Sequence, residues 1–119
     1  MFHHSIKIAQ TDLASRQAAA QLRAQVEQYV RAKEKVSIDL GAVLSISESY
    51  ADELFGVLAL RYGLDWLTNN VAIRQPKPFV FRAIAAAIRQ RLLSQNTEIP
   101  DIALLAARNA LLHRKSNNT

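Results

Sequence analysis

Polar and apolar residues alternate over Ser5 to Ala9 (SIKIA), with Ile6 and Ile8 on one side, which predicts a short strand. The period then lengthens. Ala19, Leu22, Val26, Tyr29 and Val30 recur at three and four residues, giving a helix with one buried stripe that Thr11 or Asp12 can cap. Gln21, Arg23 and Glu27 fall on its polar face. Val36, Ile38 and Leu40 alternate with Ser37 and Asp39 and form a second strand, closed by Gly41. From Ser49, the spacing of Ala51, Leu54, Phe55, Leu58 and Tyr62 predicts a second amphipathic helix, with Gly63 at its C-terminal stop. Trp66 and Leu67 suit an edge element, VAI at 71–73 a third strand, and QPKP at 75–78 a loop that leaves Lys77 exposed. A third helix follows with Val80, Ile84, Ala87, Ile88 and Leu92 inward and Arg82, Arg89 and Arg91 outward.

Pro100 suits the first turn of an additional C-terminal helix, about 99–113, apolar nearly all round through Ile102, Leu104, Leu105, Leu111 and Leu112. The tail 115–119 is expected to fray. Strand, helix, strand, helix, strand, helix, helix defines an α/β class: a small, largely parallel or mixed sheet of three to four strands with helices packed on it. The 119 residues fit a single domain with its core at about 5–94.

Without cysteine there is no disulfide, no thiolate catalysis and no cysteine-ligated metal. The start lacks the layout of a secretory signal and the apolar runs are too short to span a bilayer, so a cytoplasmic protein without membrane attachment is expected. No glycine-rich phosphate loop exists, since Gly41, Gly56 and Gly63 are the only glycines. His3, His4 and His113 sit at the chain ends, so neither a metal site nor a nucleophile-base pair lines up. Asp52 and Glu53 point about 100° apart on a helix and cannot act as a facing acid-base pair. Catalysis and cofactors are therefore not expected. The net charge of +5 is uneven: six Lys/Arg against seven Asp/Glu in residues 1–60, nine against three in 61–119. The basic half serves solubility or attracts an anionic partner.

Charge of the opposite sign gathers in ISESYADELFG, residues 46–56. Ser49 as N-cap, with Glu48, Asp52 and Glu53 complementing the helix dipole, explains one or two of these residues but not all of them. Ser47 offers an alternative cap, with Tyr50 three residues later. A second role for the acids is a bidentate pair: Arg16, in the first turn of the first helix, with Asp52 or Glu53 and Asp39 nearby; the alternative is a solvated arginine. Mid-helix Gly56 points to close packing against the sheet or another helix.

VSIDLGAVLSISESYADELFGVL resembles the second strand and following helix of STAS domains, the sulfate-transporter and anti-sigma-factor-antagonist fold. LASRQAAAQL at 13–22, IDLGAV and YADELFG are similar to a family of small bacterial STAS-like domains, and the likeness covers about residues 10–90. The resemblance implies a non-catalytic regulatory module that binds a protein partner, plausibly an ATP-binding regulator of the histidine-kinase-like type. In the antagonists a serine at the start of this helix is phosphorylated, which implies Ser49 as phosphoacceptor. A phosphate there gains from the dipole but is repelled by Glu48, Asp52 and Glu53. The expected partner surface is Ser47, Glu48, Ser49, Tyr50, Asp52 and Glu53. The alternative is a nucleic-acid-associated module with Arg82, Arg89 and Arg91 on phosphates, and the apolar C-terminal helix suggests homodimerisation.

Overall fold

In the computed structural model, which describes residues 4–97, three parallel strands form the centre of the fold. β1 (His4–Lys7) and β3 (Val36–Asp39) pair with Ile6 opposite Ile38, and β3 pairs on its other edge with β5 (Val71–Arg74), Ile38 opposite Ile73. The order β1-β3-β5 makes β3 the central strand. Val36, Ser37 and Ile38 are all buried, as a parallel strand covered on both faces requires. β2 (Asp12–Leu13) and β4 (Ser45–Ile46) add a separate two-stranded parallel pairing that the hydrophobic pattern did not predict. The α/β class holds.

α1 (Arg16–Arg31) is capped by Ser15, whose Oγ accepts from the Ala18 amide at 3.1 Å, and not by Thr11 or Asp12. The reason is the β2 pairing, which keeps residue 12 extended. The next helix runs unbroken over residues 48–62, as α2 (Glu48–Ala51), a π-helical turn (Asp52–Gly56) and α3 (Val57–Tyr62). Gly63, at φ +94°, breaks the chain direction where only glycine is comfortable. Trp66 and Leu67 then lie in a short helix, α4 (Leu64–Asn70), and not at a sheet edge. α5 (Pro78–Thr97) opens on a proline at its first position, where the missing N–H costs nothing.

The π turn packs between α1 and α5. Phe55, Leu54 and Leu58 join Val26 of α1, Val80 and Ile84 of α5, and Ile38 and Val36 of β3 in the core. Gly56 is required by this packing. A Cβ there would lie 2.8 Å from Asp52 Oδ1, 2.9 Å from Arg91 Cγ and 3.2 Å from the Ala87 carbonyl oxygen. Lys77, expected to be exposed, is half-buried because its Nζ donates to the Gly41 carbonyl at 2.8 Å. Among the described residues no helix is long and apolar enough to cross a membrane. The C-terminal helix at about 99–113, the tail, His3 and His113 lie outside the described residues.

Candidate functional site

The β2–β4 pairing brings the starts of two helices side by side. The Ser47 amide donates to the Leu13 carbonyl at 2.7 Å, and its hydroxyl donates to the Ala14 carbonyl at 2.9 Å. The same Oγ accepts from the Tyr50 amide at 3.0 Å, so the cap of the acidic helix is Ser47 and not Ser49. One residue past the cap of α1 stands Arg16, close to the π turn that carries Asp52 and Glu53.

Arg16 Nη1 donates to Asp52 Oδ2 at 3.0 Å and to Glu53 Oε1 at 2.8 Å, so the expected pair forms with both acids at once. Asp39 takes no part; its Oδ1 accepts from the Gly41 amide at the end of β3. Two further arginines join. Arg91 of α5 grips Asp52 in a bidentate fork, Nε to Oδ1 at 2.6 Å and Nη2 to Oδ2 at 2.8 Å. Arg23 of α1 donates through Nη1 to Glu53 Oε2 at 2.5 Å and to the Glu53 carbonyl at 2.6 Å. The chain of charge then runs on to Glu27, 3.9 Å from Arg23 Nε, which accepts from Arg61 Nη1 at 3.0 Å and from Tyr62 Oη at 2.6 Å.

The electrostatics follow these contacts. Hydrogen bonds from Arg91, and then from Arg16, hold the Asp52 carboxyl below the usual carboxylate range against an opposing effect of burial. Arg23 and Arg16 do the same for Glu53. At Glu27 burial is the largest single effect and favours the neutral acid, but the Tyr62 and Arg61 hydrogen bonds together with the charges of Arg61 and Arg23 outweigh it and the carboxyl is lowered. All three are anions at neutral pH, stapling the helix of residues 48–62 to α1 and α5.

Several expectations change as a result. Arg91 is turned in toward Asp52 and is not an outward phosphate contact, whereas Arg82 and Arg89 are exposed as expected. Its position carried a legible signal, since 80, 84, 87 and 91 share one helical stripe and the first three are buried. Arg23 and Glu27, expected on a polar outer face, lie on the side of α1 that meets the π turn and α3, and Glu27 is only 7% exposed. Tyr50, expected on the partner surface, is 5% exposed and packs in the core; burial also raises its pKa. Asp52 and Glu53 are half-buried and spoken for by arginines.

What stays open at this end is Glu48, exposed, and Ser49, half-buried. They line a polar cleft of about 330 Å³ with Arg16, Asp52, Gln90, Arg91 and Ser94. Ser49, relieved of capping, makes no side-chain hydrogen bond among the described residues. Nor does any group of three or more metal-ligating side chains occur among them.

A small parallel sheet flanked by helices frames this site. The family model described as a STAS-like domain of unknown function (DUF4325) matches residues 18–74, just under half of the chain, which takes in α1 from its third residue, β3, the helix of residues 48–62 and β5. No curated protein and no solved structure matches the chain.

Proposed function

We propose that the chain is a non-catalytic regulatory module that binds a protein partner through the rim of the cleft at the start of α2, with Glu48 and Ser49 as the contact residues. The observation that carries this reading is the division of labour among the acids: Asp52 and Glu53 are consumed by the arginine staple, while Glu48 beside them stays exposed with no ion partner among the described residues. An unpaired acid next to an uncommitted serine suits recognition by a complementary protein surface. In open α/β sheets ligands gather beyond the carboxyl ends of strands, and α2 starts shortly after β3 and β4 end. The STAS-like match fits a regulatory role, and the resemblance to anti-sigma-factor antagonists makes an ATP-binding regulator the first partner to test.

Within this reading Ser49 is the phosphoacceptor. Its cleft holds two arginines as well as two acids, so a phosphate has Arg16 and Arg91 to compete for with Asp52. The test is affinity capture from extract of the source cell with the wild-type chain and with Glu48→Lys, after confirming equal melting temperatures. A regulator captured by the wild type and lost with Glu48→Lys is expected. The same proteins captured by both would refute the contact residues. Intact mass after incubation with ATP and that regulator should show one phosphoryl group, absent from Ser49→Ala; no addition would remove the phosphoacceptor role.

A further inference from the structure

On α5, Phe81, Ala85, Ile88 and Leu92 follow one another at four, three and four residues, a second stripe beside the one that meets the core. With Leu64 of α4 they line an apolar groove, in two adjoining sections of about 320 and 360 Å³, that continues to Leu93 near the end of the helix. Leu64 is 46% exposed, Phe81 52% and Leu93 54%, so this is open apolar surface.

We propose that the groove is the docking site for residues 100–113 of this same chain, laid antiparallel along α5. Three observations select this occupant. The groove ends at Leu93, four residues before α5 ends at Thr97, and 22 further residues start there. Their sequence, PDIALLAARNALLH from Pro100, carries Ala103, Leu104, Ala107, Ala110 and Leu111 at three- and four-residue spacing, one uncharged apolar face, while Leu105 and Leu112 flank Arg108. The lengths agree over the second section: a helix over 101–112 is about 17 Å long at a rise of about 1.5 Å per residue, enough to run back from the end of α5 past Leu93 to about Ala86. Residues 98–100 make a connection of the size that joins antiparallel helices. A second copy of the chain would have to compete with a segment tethered at the groove's mouth, whose effective concentration is in the millimolar range.

Because the chain has no cysteine, the docking is readable by paired substitution in the full-length protein. Ala85→Cys is combined in turn with Ala107→Cys, Ala110→Cys and Leu111→Cys, and each pair is oxidised mildly. The control partner for the same three positions is Gln90→Cys, which lines the polar cleft on the other side of α5. A disulfide within one chain is expected for at least one Ala85→Cys pair, at least tenfold faster than for its Gln90→Cys counterpart. Disulfides between two chains would assign the groove to a second copy and overturn the proposal, as would cross-linking no faster than the control. Leu104→Arg provides a readout without cysteines: binding of an apolar fluorescent dye should rise several-fold as the groove opens, and unchanged binding would also overturn it.

Discussion

Replacing Asp52 by asparagine keeps the size of the side chain and removes the charge that two arginines share. Three charge-assisted hydrogen bonds end on this carboxylate, two of them the Arg91 fork at 2.6 and 2.8 Å. A hydrogen bond to a charged group is worth about 1.5–3 kcal/mol when buried, and an exposed ion pair about 0–1 kcal/mol. The Asp52 and Arg91 side chains are 24% and 31% exposed, so water screens part of the interaction and Arg91 can turn its head outward when freed. Asp52→Asn is therefore expected to cost about 1–2 kcal/mol, a fall in melting temperature of about 5–10 °C for a chain of this size. A double-mutant cycle with Arg91→Gln, read by urea unfolding at neutral pH, should give a coupling energy of about 1 kcal/mol or more. The pH dependence has a definite sign. Because the folded-state pKa of Asp52 is lowered, its contribution is complete above the ordinary carboxylate value of about 4 and drains away as pH falls through the folded value. The gap between wild type and Asp52→Asn must shrink on acidification from about pH 5. A coupling of about 0.3 kcal/mol or less, or a gap that widens in acid, would refute the staple.

Gly56→Ala should destabilise by a net ~1–2 kcal/mol in denaturant titration, since the overpacking against the Ala87 carbonyl and Arg91 exceeds the helix-propensity gain of about 1 kcal/mol; a stabilised variant would contradict the packing. Ser47→Ala should cost about 1 kcal/mol through the lost cap, while Ser49→Ala stays within about 0.5 kcal/mol, and the reverse order would put the cap back on Ser49. Tyr62→Phe takes one donor from the buried Glu27 carboxylate and should cost about 1 kcal/mol at neutral pH, a loss that fades in acid because the Glu27 pKa is lowered in the folded chain.

The sheet was legible in the chain because its strands alternate or run apolar between clear breakers: Ser5–Ala9, residues 36–40 and residues 71–73 each fall on an observed strand within one or two residues. The inward stripe of α5 was legible too, through Val80, Ile84 and Ala87. What could not be read arises from contacts between elements. Residues 12–13 and 45–46 are too short to show a period, yet their pairing is what shifts both helix caps to Ser15 and Ser47. The π turn has no sequence period of its own and depends on Gly56 admitting α5. Charged residues were assigned to outer faces by hydropathy, which fails where a helix meets another helix through ion pairs, as Arg23, Glu27 and Arg91 do. The Arg16 pair was foreseeable because Arg16 and the adjacent acids Asp52 and Glu53 lie near the starts of two helices that parallel strands bring to the same end of the sheet; the second and third arginines were not.

The central claim, that the acids at this helix start are fastened inward by arginines, is tested most directly by nitrogen-resolved NMR of the arginine side chains at neutral pH. The Arg91 Nε–H, bonded to Asp52 Oδ1, should exchange with water at least tenfold more slowly than that of exposed Arg89, and lose that protection in Asp52→Asn. Equal exchange for Arg91 and Arg89 in the wild type would contradict the account.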